Sequence, residues 1–157
     1  MPRMPTVSVS VAIAAPQQAV WERIADIEHA HERIPAIKRI EVLSPQRHGL
    51  GLRWRETRVM FRKEATEVME ITQWRPPHEY VTSAQSHGSD YRCTLRVEPA
   101  AAGSMLSFHF TAMPLTLTAK VMGALMGPLM RGAITKALQD DLNAIKASCE
   151  SVRGVGS

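Results

Sequence analysis

The chain has 157 residues and a mass of 17.4 kDa, enough for one domain with a real core and too little for two ordinary ones. Apolar residues make up 45% and charged residues 22%, which excludes a disordered chain. The net charge is +4, but acids sit among the bases, as in Arg53-Trp54-Arg55-Glu56-Thr57-Arg58, so the pattern is a solvated mixed surface rather than a nucleic-acid stripe.

Thr6 to Ala14 read as the first strand. Val7, Val9, Val11 and Ile13 alternate with Ser8, Ser10 and Ala12, the period of a half-buried strand. Arg3 before this run and Ala-Ile-Ala-Ala-Pro at its end imitate a signal peptide, but a signal core gains nothing from alternate serines. Pro16 suits a first helical turn, and Val20, Ile24 and Ile27 mark one helical face with Trp21 beside it. A short second helix is expected from Glu28 to Arg33, stopped by Pro35.

Strands are then predicted at Ile37–Leu43, Leu50–Phe61, Glu64–Trp74, Glu79–Ser86, Asp90–Glu98 and Ser104–Met113. Ser44-Pro45, Pro76-Pro77, His87-Gly88-Ser89 and Ala100–Gly103 punctuate them, as in an antiparallel meander. The last part is helical. Val121, Leu125, Leu129, Ile134, Leu138, Leu142, Ile145 and Cys149 read as one apolar stripe along about 45 Å of helix. Pro128 predicts a kink or break near Gly127.

The expected fold class is therefore α+β: a curved antiparallel sheet of about seven strands wrapped round a long, kinked C-terminal helix, with two short helices after the first strand. Residues 1–157 form one domain with its core at about 7–150. A helix lying on a curved sheet leaves a space between them, which is the default place for a ligand.

Nine methionines outnumber the eight aromatic residues. Methionine specifies a shape poorly but adapts well. Met122, Met126 and Met130 lie four apart on one helical face, and Met60 and Met69 come from strands. They either line an adaptable cavity or pack an ordinary core. Leu52, Trp54, Glu56, Arg58 and Met60 share one strand face. If that face is the inner one, Glu56 and Arg58 pair with each other or orient a ligand carbonyl or carboxylate. The alternatives are a solvated pair at the rim, or the opposite parity through Val59 and Phe61.

Tyr91 and Cys93 share a face with Leu95 and Val97. The Tyr91 hydroxyl either meets a ligand oxygen or a backbone partner. Cys93 has no base placed beside it by the sequence, so it is not expected to act as a nucleophile. Ile71, Phe108, Phe110 and Ile134 complete the ligand-binding candidates. The catalytic candidates are Glu56, Arg58 and Tyr91. Gly123, Gly127 and Gly132 let the helix bend, leave room beneath it, or form a gate at Gly127-Pro128.

No metal site is expected. His29 and His31 are two apart and point different ways on a helix, whereas helical metal pairs use three or four. His48, His78, His87 and His109 are scattered. Phosphate loop, dinucleotide fingerprint and nucleophile elbow are all missing from the sequence, so no cofactor is expected. Cys93 and Cys149 are too few for a disulfide framework, in keeping with a cytoplasmic location.

Several landmarks occur together in order. They are Ala14-Ala15-Pro16 with Val20-Trp21 and Ala25-Asp26; Arg33-Ile34-Pro35 with Val42-Leu43; and Gly51 through Arg58. Ile71-Thr72 before Pro76-Pro77, Gly103-Ser104, and Asp141-Leu142 with Ile145-Lys146 follow. Over about Val7 to Glu150 the chain resembles the START and birch-pollen-allergen-like superfamily, in its polyketide cyclase/dehydrase and lipid transport branch. The resemblance implies a helix-grip fold with a deep apolar cavity. Members bind lipids, sterols, polyketides or hormones, and only some are catalytic.

The leading expectation is a binding module for a small hydrophobic ligand such as a lipid or polyketide. The alternative is a cyclase or dehydratase using Glu56, Arg58 and Tyr91 as acid–base or oxyanion groups, so enzyme status stays open. A third reading has the helix around Met122 to Met130 extracting a lipid from a membrane. The expected partner is the ligand alone, with no nucleic acid and no stable membrane insertion, in a monomer or homodimer.

Overall fold

The computed structural model describes residues 6–60, 62–86 and 88–155; the side chains of Met60, Met126 and residues 152–155 lie outside the description. The elements in chain order are β1 (Thr6–Ile13), α1 (Gln17–Ala25), a 3-10 helix (Ile27–Glu32), β2 (Ile37–Val42), β3 (Arg53–Met60), β4 (Lys63–Arg75), β5 (Glu79–Ser86), β6 (Ser89–Ala100), β7 (Gly103–Pro114) and α2 (Leu117–Val155). The sheet has seven strands in the order β1-β7-β6-β5-β4-β3-β2. Every neighbouring pair is antiparallel. Bulges between Ile37 and Arg39 and between Ile71 and Gln73 add local twist. This is a curved antiparallel sheet with a long C-terminal helix, the helix-grip arrangement.

The third strand starts later than its sequence pattern. Gly49 and Gly51 have φ of 84° and 85°, so the chain turns there and pairing begins at Arg53. Leu52 is nonetheless fully buried. At the other end of the sheet, Gly103 has φ 139°, and a Cβ there would sit 2.5 Å from the Ile13 carbonyl oxygen and 2.7 Å from the Ala15 nitrogen. Only glycine lets β7 begin so close to the β1–α1 junction. Ser104 then donates its hydroxyl to the Ala15 carbonyl at 2.6 Å.

The core lies between the inner sheet face and the C-terminal half of α2. Ile13, Val20, Ile71, Val97, Leu106 and Leu142 are among its most buried members. Tyr80 ties α1 to the sheet: its hydroxyl donates 2.7 Å to the Ile24 carbonyl, in full burial. That carbonyl sits in the last turn of α1, where helix carbonyls lack helical partners. Tyr80→Phe is expected to cost about 1–2 kcal/mol, read as a shift in the urea midpoint without a change in slope.

Of the kink or break expected at Pro128, no break occurs: the helix runs through it as one element. The apolar stripe departs from its sequence reading, because it is not one stripe. Leu138, Leu142, Ile145 and Cys149 pack on the core, whereas Val121, Leu125 and Leu129 are exposed. The reason is phase. The step from Leu129 to Ile134 is five residues, a turn of about 140°, which carries the apolar residues from one side of the helix to the other. No described helix is long and apolar enough to cross a membrane.

Candidate functional site

The strand face left open by the sequence is settled by the backbone register. Trp54 pairs with Met69, Glu56 with Glu67 and Arg58 with Ala65, and Trp54 is buried against the core. Trp54, Glu56 and Arg58 therefore look inward. Arg58 donates through Nε to Glu56 Oε2 at 3.0 Å and through Nη1 to Asp141 Oδ2 at 3.1 Å. Trp54 Nε1 adds a 3.3 Å donation to Glu56 Oε1. The three charged side chains are 12% (Glu56), 19% (Arg58) and 7% (Asp141) exposed.

Asp141 comes from α2, so the cluster joins helix to sheet. Sequence reading missed it as a site residue. The signal was present: Asp141 falls three after Leu138 and four before Ile145, which puts a carboxylate on the buried face of the helix. Burial raises the Asp141 pKa above the usual carboxylate range, and Arg58 offsets this only in part. Burial opposes the charge on Arg58, but Glu56 and Asp141 outweigh it and hold its pKa above the ordinary value. With both carboxylates ionised, one cation faces two anions.

Cys93 lies close to this cluster. Burial pushes its thiol up to about 12, Asp141 adds to the rise and Arg58 opposes it, so it is a poor nucleophile at neutral pH. Tyr91 is half-buried and stacks on Phe110 with ring centroids 5.8 Å apart. Cys93 pairs with Phe110 across β6–β7, and Tyr91 with Ala112. Phe108 and Ile71 are buried in the core, and Met69 and Ile134 are half-buried against it.

Burial along the inner face is graded. On β7, Ser104, Leu106 and Phe108 are buried, whereas Phe110, Ala112 and Pro114 are only half-buried. On β6, Val97 and Leu95 are buried and Cys93 and Tyr91 half-buried. The N-terminal part of α2 is mostly exposed, whereas its C-terminal half packs on the core. A Cβ added at Gly123 or Gly127 would meet nothing within 4 Å. Gly127 is half-buried and falls about three turns before Leu138, on the side of the helix that packs on the core further along.

Met122 and Met130 do not line an enclosed cavity: they are 49% and 40% exposed, because the helix phase turns this segment outward. The Met60 and Met126 side chains lie outside the described residues. The histidines take up local roles. His29 Nδ1 meets Asp26 at 2.8 Å, His109 Nδ1 meets the Ser8 hydroxyl at 2.6 Å, and His48 packs edge-on to Trp74. Among the described residues, no three or more His, Cys, Asp or Glu side chains converge as metal ligands. Two depressions are lined mainly by residues other than the ligand-binding candidates. One, of about 460 Å³, is on the outer sheet face beside Ser8, Glu79, Arg96 and His109. The other, of about 320 Å³, is between α1 and the end of α2, beside Arg23, Arg33 and Cys149.

Among solved structures, the protein TTHA0849 from Thermus thermophilus is similar with a TM-score of 0.78 at 19% identity, covering 94% of this chain and 99% of that one. A START superfamily protein from Mycobacterium smegmatis gives 0.75 at 15% identity over 94% and 98% of the two chains. The Zhui aromatase/cyclase from Streptomyces sp. R1128 gives 0.72 at 17% identity over 94% of each chain. At these identities the likeness carries the fold and not the activity. No curated protein matches the sequence. Residues 4–150 match the family described as polyketide cyclase / dehydrase and lipid transport. With the sheet, the gripping helix and this match over residues 4–150 together, the chain belongs to that family.

Proposed function

We propose that the chain works as one helix-grip domain that holds a small, mainly apolar molecule in the cleft between sheet and α2. The observation that carries this is that the inner-face side chains Tyr91, Cys93 and Phe110 are only half-buried, while half-buried Gly127 of α2 has nothing within 4 Å of its Cβ position. Affinity comes mostly from apolar area removed from water. The charged cluster sets the polar end of the ligand. Two Arg58 nitrogens are already engaged by carboxylates, so a ligand carboxylate meets repulsion from Glu56 and Asp141. A neutral molecule bearing a hydroxyl or amide donor is the better fit.

The second reading is a cyclase or dehydratase. It is favoured by one feature, a carboxyl group with a raised pKa on the cleft wall beside a guanidinium. Such a pair suits proton transfer to a ligand oxygen, with Tyr91 as a further donor.

The test uses the neutral apolar dye N-phenyl-1-naphthylamine, followed by its fluorescence. Wild type is expected to bind it. Gly127→Leu fills the space under the helix and replaces a poor helix former with a good one, a gain of up to about 1 kcal/mol in helix propensity. Dye affinity is expected to fall at least about tenfold while thermal stability is kept. Equal dye binding by wild type and Gly127→Leu would remove the cleft as the binding place.

A further inference from the structure

The depression between α1 and the end of α2 holds two arginines whose donors are not used up. It has a volume of about 320 Å³ and is lined by Ala19, Glu22, Arg23, Asp26, Arg33 and Cys149. None of these residues is a ligand-binding candidate. Arg33 ends the 3-10 helix, and its side chain is nine-tenths buried. Its Nη2 donates to the Arg23 carbonyl at 2.9 Å and to the Asp26 carbonyl at 2.6 Å. These carbonyls lie at and just past the end of α1, where helical partners run out. One nitrogen thus anchors Arg33 and fixes the orientation of its fork.

The rest of the fork is open. Nη1 is 3.6 Å from Asp26 Oδ2, too far for a good hydrogen bond, and Nε has no hydrogen bond among the described residues. Among the described residues, no buried side-chain nitrogen or oxygen lacks a partner. These two nitrogens therefore reach accessible space, which at this side chain is the depression. Arg23 is half-buried in the last turn of α1, and its guanidinium has no hydrogen bond or ion pair among the described residues. Burial pushes the Cys149 thiol up, and Arg23 and Arg33 both pull it back, so the two cations bear on the same wall. The nearby acids do not supply the missing acceptors. Asp26 is shared between His29 at 2.8 Å and Arg33. Glu22 is exposed and accepts from Gln18 at 3.2 Å.

We propose that the depression binds a small oxyanion, a phosphate or carboxylate group, bridged by the open nitrogens of Arg33 and the guanidinium of Arg23. Guanidinium forks match such groups through paired hydrogen bonds. Arg33 is already held in place, so little side-chain entropy is lost there. A chloride ion offers no such match. The bound group ties α1 to the last turns of α2, so occupancy stabilises the fold by mass action.

The test is isothermal titration of the full chain with inorganic phosphate and, separately, with acetate, at an ionic strength held constant with sodium chloride. Wild type is expected to bind at least one of them saturably, with a rise in melting temperature. A tighter phosphate curve names a phosphate group, and a tighter acetate curve a carboxylate. The amide resonances of Ala19, Arg23 and Cys149 are expected to move with occupancy. Arg23→Gln removes a guanidinium that has no partner to lose, so its circular dichroism stays as in wild type. Its affinity for the anion is expected to fall at least about fivefold. Lys38→Gln removes an exposed cation of β2 and is expected to leave the affinity unchanged. Absence of saturable binding of both anions overturns the proposal. So does equal affinity in wild type and Arg23→Gln, or an equal loss in both variants.

Discussion

Arg58→Met is expected to lower the unfolding free energy by about 3–5 kcal/mol near neutral pH. The figure follows from what is left behind. Methionine fills much of the volume, but Glu56 and Asp141 lose the guanidinium that bridges them. Two carboxylates then share a poorly solvated site and repel each other, Asp141 without the guanidinium and Glu56 keeping the Trp54 indole donor. The sign of the pH dependence follows. A carboxyl whose folded pKa lies above its unfolded value binds its proton more tightly in the folded state. Its contribution is fully present below the unfolded pKa and is lost as pH rises through the folded one. Asp141 already behaves this way in the wild-type protein, from its ordinary 3.8 upward, because burial outweighs Arg58. The variant widens that window. Urea titrations of both proteins at about pH 4.5 and 7.5 are expected to show a larger difference at the higher pH. Adding Glu56→Gln and Asp141→Asn to Arg58→Met is expected to recover most of the loss, since no buried charge remains. A loss below about 1 kcal/mol, the same at both pH values, would mean that water screens the cluster and that it is an ordinary surface pair.

Much of this site is legible in the sequence alone. Period-two alternation places Trp54, Glu56 and Arg58 on one face, and Leu52 and Trp54 mark that face as the buried one. The same logic places Tyr91 and Cys93. The turn signals divide the sheet into its strands, and most boundaries move by one or two residues; the largest shift is at the start of the third strand, where Gly49 and Gly51 with positive φ redirect the chain. Asp141 escapes when apolar residues alone are traced along the helix. A carboxylate inside an apolar row is as visible in the sequence as the row itself, but its partner is 83 residues away, and no local pattern reveals that pairing.

The methionines show the opposite failure. Their number suggests an adaptable lining, and helical spacing puts three of them on one face. What spacing alone leaves open is which way a face points. That depends on phase relative to the packed half of the helix, and the five-residue step at Leu129–Ile134 changes the phase. Counting that step along the stripe separates two apolar rows without any knowledge of the fold. The proposed cleft is marked by a small residue rather than by methionine: half-buried Gly127 lies on the other side of the helix from the exposed Leu125 and Leu129.

The two phases of α2 give a direct contrast between identical side chains. Leu142→Ala is expected to cost about 3–5 kcal/mol, whereas Leu125→Ala is expected to stay within about 0.5 kcal/mol of wild type. Leu142 is fully buried beside Asp141 in the part of α2 that grips the sheet. Truncating it removes apolar contacts and leaves a cavity that the strands, held in register by their hydrogen bonds, cannot collapse to fill. It also loosens the turn that presents Asp141 to Arg58, so part of the loss should appear as a changed pH dependence like that of the Arg58 variant. Leu125 has three quarters of its surface in water already, and alanine is the better helix former. Thermal melts of the two variants give the comparison within one helix and one residue type. Similar losses at both positions would mean that the N-terminal half of α2 is packed in solution, which would leave no room for the ligand proposed beneath it. A large loss at Leu142 alone would leave the helix divided as described, with its C-terminal half a structural clamp and its N-terminal half largely exposed.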